Sequence, residues 1–213
     1  MSRARLGRAS VTLNETWVLP ARRTYVTFGL ERGGTSAVAG VQRALGVDLG
    51  VIEGNNNEDY AFHETPLDDM CTVIERRNAE ADVWGFKYPN AGEFLPALQP
   101  HLRRPYYIVI HRDPVSTVRS RAKWDGEETS RPAMMALHDA GARGFANMNF
   151  ALASDRPTLL VSNELAESRT GDLVDELAMF LGVPKPRGEL RERILAYMER
   201  GSYKSFADYF PDA

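Results

Sequence analysis

A glycine-rich stretch between a short apolar run and a helical pattern carries the residues best suited to bind an anion. Residues 25–28 are β-branched or aromatic, which is typical of a buried strand. Residues 29–34 read GLERGG, and Thr35 and Ser36 then open a segment whose apolar side chains recur every three or four residues. A glycine turn at a helix N-terminus presents backbone N–H groups and the positive end of the helix dipole. This stretch therefore predicts a site for a phosphate-like group.

The glycine loop matches the Walker A template only in part. That template requires Gly, four residues, and then Gly-Lys-Ser/Thr. Gly29, Gly34 and Ser36 fall in register, but Thr35 takes the place of the lysine. Arg32 lies within the loop, and its guanidinium is a permanently charged fork of donors for oxyanions. The pattern predicts oxyanion binding without triphosphate and magnesium chemistry; the alternative interpretation is a strand-to-helix turn that binds nothing.

The elements that must position this loop alternate along the chain between strand and helix patterns. Four apolar runs are predicted to be strands: residues 25–28, 82–87, 106–111 and 158–162. Such alternation predicts an α/β fold with a central, mostly parallel sheet flanked by helices on both faces. Ligands of these sheets bind beyond the carboxyl ends of the strands. Arg32, Lys87 and Arg112 follow or end three of the runs, which predicts a ligand with several separated anionic groups.

Length, charge and cysteine content limit the class of protein. A chain of 213 residues predicts one domain, residues 1–213, in which residues 1–23 are irregular and residues 12–19 are an edge strand or a cover. The net charge of −3 gives no support for a nucleic-acid partner. No apolar run approaches the ~20 residues of a membrane span. One cysteine, Cys71, fits a reducing compartment, and a cytoplasmic location is expected.

Two of these segments resemble the signatures of the sulfotransferase family. The sequence GLERGGTS resembles its phosphosulfate-binding loop. The sequence IVIHRDPVSTVRSR resembles the signature that binds the ribose 3′-phosphate of PAPS, 3′-phosphoadenosine 5′-phosphosulfate, and WGFKYP resembles the family's strand ending in lysine. The resemblance spans residues 24–186. It implies a three-layer, P-loop-like fold and transfer of a sulfuryl group from PAPS to an acceptor hydroxyl or amine, which leaves adenosine 3′,5′-bisphosphate and requires no metal.

The resemblance also implies roles for individual residues. The 5′-phosphosulfate is expected to bind to the loop residues, which are Arg32, Gly33, Gly34, Thr35 and Ser36. Arg112 and Ser120 are expected to bind the 3′-phosphate. Lys87 is expected to face the bridging oxygen and to stabilise the charge that develops as the sulfuryl group leaves.

The general base is not given by the same comparison. The family's best-known members have a histidine two residues beyond the strand lysine, where this chain has Pro89. Glu64, in the sequence Phe-His-Glu, matches the glutamate of bacterial-type members and is predicted to take the acceptor proton, with His63 as the second candidate. The alternative is that Glu64 is a helix N-terminal charge beside the dipole.

Two other functions remain open at this point. One is a nucleotide kinase or NTPase with a degenerate phosphate loop, and the other is a non-catalytic nucleotide-binding module. The acceptor of a sulfotransferase is expected to be a small molecule or a glycan, in a pocket formed by residues 50–64 and 123–150. Neither the acceptor's identity nor the oligomeric state follows from the sequence.

Overall fold

A computed structural model describes residues 4–16, 18–62, 65–125, 130–199 and 204–211. The strands are β1 (Ala4–Leu6), β2 (Ser10–Leu13), β3 (Arg23–Gly29), β4 (Val83–Lys87), β5 (Pro105–His111) and β6 (Thr158–Ser162). The helices are α1 (Thr35–Ala44), α2 (Leu67–Glu80), α3 (Leu95–Leu98), α4 (Pro114–Asp125), α5 (Ser130–Ala153), α6 (Asn163–Ser168), α7 (Thr170–Leu181), α8 (Gly188–Met198) and α9 (Phe206–Tyr209). Short 3-10 turns cover Tyr60–Phe62 and Ala91–Glu93.

The strands form one six-stranded sheet in the order β1-β2-β6-β5-β3-β4. β4, β3, β5 and β6 run parallel, and all four were predicted as strands. In their register Thr27 lies opposite Lys87, and Gly29 lies opposite Ile110. The carboxyl ends of β3, β4 and β5 therefore meet at the same edge of the sheet.

Both faces of the sheet are buried, because the strand side chains alternate between two apolar cores. Tyr25 and Ile108 contribute to the core that contains residues of α1, α7 and α8. Val26 and Val109 contribute to the core on the other face, with residues of α2, α3 and α5. Each of these four side chains is fully buried. The predicted α/β fold, with a mostly parallel sheet between two helical layers, is confirmed.

The expectation that residues 1–23 are irregular is wrong in its described part. β1 and β2 form an antiparallel hairpin that extends the sheet beyond β6. Glu176 on α7 fixes this hairpin, since its buried carboxylate accepts hydrogen bonds from Arg8 N at 2.5 Å and Ser10 Oγ at 2.6 Å. A strand of four residues has too short an alternation to be recognised, and the pairing that stabilises it comes from residues about 150 positions away.

Within the described ranges, no helix combines the length and the apolar content that crossing a bilayer requires.

Candidate phosphate-loop site

The loop between β3 and α1 has the backbone form of an anion site. Arg32 and Gly34 adopt left-handed conformations, with φ of 61° and 93°, and the N–H of Gly33 donates to the carbonyl of Leu30 at 2.9 Å. Gly34 is the N-cap of α1, and no side chain caps this helix end. The first-turn N–H groups of α1 are therefore available to an oxyanion, next to the positive end of the helix dipole.

Asn163, the first residue after β6, packs against this loop. A Cβ atom on Gly34 would lie 2.0 Å from Asn163 Oδ1, so the loop has space only for glycine at this position. Asn163 is buried, and its Nδ2 donates to Glu167 Oε1 at 2.9 Å. Asn163 was not among the predicted site residues, although it directly follows the fourth predicted strand, where ligands of such sheets bind.

Arg112 connects the two segments that resemble family signatures. It follows β5, and its Nη1 donates to the backbone carbonyl of Arg32 at 2.6 Å. Its Nε is buried and has no hydrogen-bond partner in the part of the chain that the structure describes. Ser120 is half-buried on α4, ~9 Å along the helix axis from Pro114 at 1.5 Å per residue. The structure therefore places Arg112 at the loop. Binding of the 3′-phosphate by Arg112 and Ser120 together stays a prediction.

Lys87 reaches the same loop from the end of β4. The side chain is 1% exposed, its Nζ donates to Ser36 Oγ at 3.2 Å, and it forms an ion pair with Glu58. Burial lowers the pKa of the Lys87 ammonium, and the Glu58 carboxylate opposes this shift. Lys87 and Arg112 thus both contact the segment 32–36, to which Arg32 belongs, while a shared role of the three cations in anion binding stays a prediction.

Glu58 was not predicted as a site residue, because it belongs to no motif. It lies in the turn-rich segment before the Tyr60–Phe62 turn, and its side chain is 13% exposed. Glu58 also lines a cavity of about 140 Å³ together with Glu53, Asn56 and Tyr60. This cavity lies within residues 50–64, one of the two segments expected to contact an acceptor. His63 and Glu64, the predicted bases, lie outside the described residues.

The described residues also bear on metal binding. Across the described ranges, no group of three or more His, Cys, Asp or Glu side chains is arranged to hold a metal ion.

Solved structures with a similar fold were found. One is the sulfotransferase domain from the Synechococcus PCC 7002 olefin synthase, with a TM-score of 0.52 and 17% identity over 84% of this chain and 81% of that chain. The other is the sulfotransferase STF9 from Mycobacterium avium, with a TM-score of 0.55 and 11% identity over 91% of this chain and 76% of that chain. The chain has the fold of these sulfotransferases.

The sequence comparisons add no relative to this structural likeness. No family model matches the chain, and no curated protein matches it. Identities of 17% and 11% show a shared fold alone.

Proposed function

We propose that this protein transfers the sulfuryl group of PAPS to an acceptor hydroxyl or amine. The observation that carries the proposal is that Lys87 contacts Ser36 and Arg112 contacts the backbone of Arg32, at a helix N-terminus that no side chain caps. A ligand with anionic groups at two ends suits this arrangement, because the cations approach the loop from different strands. The sulfotransferase-type fold supports the same conclusion.

The donor is assigned to both signature segments. Arg32, Thr35 and Ser36, with the backbone of Gly33 and Gly34, hold the 5′-phosphosulfate. Arg112 and Ser120 hold the 3′-phosphate. Thr35 is 3% exposed and stands where a Walker lysine would reach a terminal phosphate, so the proposal favours PAPS over a nucleoside triphosphate.

The reaction forms a bond from sulfur to the acceptor oxygen or nitrogen and breaks one sulfur–oxygen bond of PAPS. The acceptor attacks the sulfur, the bond from sulfur to the bridging oxygen breaks, and adenosine 3′,5′-bisphosphate leaves. The Lys87 ammonium stabilises the charge that develops on the leaving oxygen. A carboxylate or imidazole takes the acceptor proton, which balances the step.

For the base we propose Glu58 in addition to Glu64 and His63. Glu58 contacts Lys87 and lines the cavity, so an acceptor in that cavity has its reacting group beside both the base and the donor loop. His63 and Glu64 lie five and six positions after Glu58 in the sequence and stay candidates on the family resemblance. The cavity is the proposed entrance for the acceptor.

Ligand-dependent stability tests the donor assignment. Adenosine 3′,5′-bisphosphate at 100 times its dissociation constant should raise the free energy of unfolding by about 2.7 kcal/mol, and ATP or ADP at equal concentration should raise it less. Release of adenosine 3′,5′-bisphosphate from PAPS, measured with a panel of alcohols, phenols, amines and sugars, then tests transfer. Stronger stabilisation by ATP, or magnesium-dependent ATP hydrolysis, would contradict the proposal and favour a kinase or NTPase.

A further inference from the structure

We infer that Asn57 is a positioning residue that holds Glu58 over Lys87; its catalytic consequence rests on the proposed function. The contacts form a closed ring through the phosphate loop. Asn57 Nδ2 donates to the carbonyl of Ser36 at 2.9 Å, and Glu58 is the next residue. Glu58 pairs with Lys87, whose Nζ donates back to Ser36 Oγ at 3.2 Å. The ring fixes the Glu58 carboxylate relative to the helix N-terminus.

The side chain of Asn57 is buried and all of its polar atoms are hydrogen-bonded. The residue is 1% exposed and adopts a left-handed backbone conformation with φ of 58°, which asparagine tolerates better than most residues. Its Nδ2 also donates to Tyr197 Oη at 2.9 Å, and its Oδ1 accepts from Arg43 Nη1 at 2.7 Å. A carbonyl oxygen only accepts and a guanidinium only donates, so an amide is the group that satisfies both sides.

The contact with Tyr197 extends this support to α8. Gly40 on α1 makes the approach possible, because a Cβ atom there would lie 2.3 Å from Tyr197 Oη. Asn57 is therefore tied to two helices, α1 and α8, as well as to the loop. A segment fixed in this way presents Glu58 in one place before any ligand binds, which is what preorganised catalysis requires.

The run of three asparagines supplies a matched control. Asn55 is exposed, whereas Asn57 is buried in the ring. Substituting either residue by glycine removes the same side chain, and glycine keeps the left-handed backbone at position 57 accessible. A difference between Asn57→Gly and Asn55→Gly therefore reports the side-chain contacts of Asn57.

Lysine labelling tests the position of Glu58 without any assumption about function. The probe is acetic anhydride at low dose, with the acetylation of each lysine followed by mass spectrometry and Lys185 as the exposed reference. Acetylation of Lys87 should rise about tenfold in Asn57→Gly and stay unchanged in Asn55→Gly, because the segment opens locally. Unchanged Lys87 labelling, or an equal rise at all lysines, overturns the inference. Asn57→Asp keeps the size of the side chain but removes both N–H donors of the amide. If Asn57→Gly does not fold, the same labelling of Asn57→Asp tests the inference.

Turnover tests the catalytic consequence. In release of adenosine 3′,5′-bisphosphate from PAPS, Asn57→Gly should lower kcat about tenfold while KM for PAPS changes less than about twofold. Adding Asn57→Gly to Glu58→Gln should cause no further loss, and additive losses would overturn the inference. A wild-type protein that releases no product contradicts the proposed function, while the labelling result still decides whether Asn57 positions Glu58.

Discussion

The guanidinium of Arg112 lies 2.6 Å from the backbone carbonyl of Arg32, to which its Nη1 donates a hydrogen bond. The two residues are 80 positions apart in the chain. They meet because β3 and β5 are parallel neighbours and end at the same edge of the sheet. This contact joins the two segments that resemble family signatures.

Loss of the Arg112 guanidinium is expected to weaken donor binding. Arg112→Ala should raise the dissociation constant of adenosine 3′,5′-bisphosphate about 10- to 100-fold, because a charge-assisted hydrogen bond contributes about 1.5–3 kcal/mol. Arg112→Lys keeps the charge but not the fork of donors and should recover only part of the affinity. Isothermal titration calorimetry measures each constant. Arg22→Ala is the control, since Arg22 is exposed and precedes β3 at the opposite end of the strand; an equal loss there would argue against a specific role.

Replacement of the proposed bases is expected to separate transfer from binding. Glu58→Gln should lower sulfuryl transfer about 10²- to 10⁴-fold, the range for removing a general base, and leave adenosine 3′,5′-bisphosphate bound. Glu64→Gln and His63→Ala, measured in parallel by release of adenosine 3′,5′-bisphosphate from PAPS, identify the base by which variant loses turnover. Full turnover in Glu58→Gln would eliminate Glu58.

A side chain at Gly34 is expected to damage the anion loop. Gly34→Ala combines left-handed strain of about 1–2 kcal/mol with the clash against Asn163 Oδ1, so it should abolish ligand-induced stabilisation. Gly46→Ala is the matched control, because Gly46 has a similar φ of 87° but no atom lies within 4 Å of its added Cβ. Thermal unfolding with and without adenosine 3′,5′-bisphosphate distinguishes the two. Equal behaviour of both variants would show that strain alone is responsible.

Removal of a buried hydroxyl is expected to stabilise the protein. Tyr107 is fully buried, and its hydroxyl has no hydrogen-bond partner among the described residues. Tyr107→Phe should therefore raise the free energy of unfolding by about 1 kcal/mol. Tyr25→Phe should lower it by about 1–2 kcal/mol, because the Tyr25 hydroxyl donates to Leu181 O at 2.9 Å and accepts from Arg23 Nε at 2.7 Å. Urea unfolding measures both changes, and a loss of stability in Tyr107→Phe would contradict this account.

The same substitution should change the response to alkaline pH. Burial raises the pKa of Tyr107 above its ordinary value of 10.0. The folded state then keeps its proton where the unfolded chain loses it, so stability is complete below pH 10.0 and falls as pH rises through that value. Tyr107→Phe should flatten this fall in urea unfolding measured over alkaline pH. An unchanged slope would mean that other groups dominate.

Much of the fold could be predicted because its signals are local. The apolar runs of β3 and β5 are buried on both faces, and such runs need no information from distant residues to be recognised. The glycine loop and the strand-end cations could be found for the same reason, since strand direction alone brings Arg32, Lys87 and Arg112 to one edge. The N-terminal hairpin could not be predicted beyond an edge strand or a cover at residues 12–19, because its stability depends on β6 and Glu176.

The sequence by itself determined the alternation of the four parallel strands with helices, the glycine turn before α1, and the placing of Arg32, Lys87 and Arg112 at strand ends. These features follow from periodicity, from glycine and from the parallel direction of the strands. Only the tertiary structure decided that Glu58 pairs with Lys87, that Asn57 holds that segment against α1, and that Asn163 closes on Gly34. Those contacts join residues 21 to 129 positions apart, and side chains at such separations meet only through packing, which no local pattern encodes.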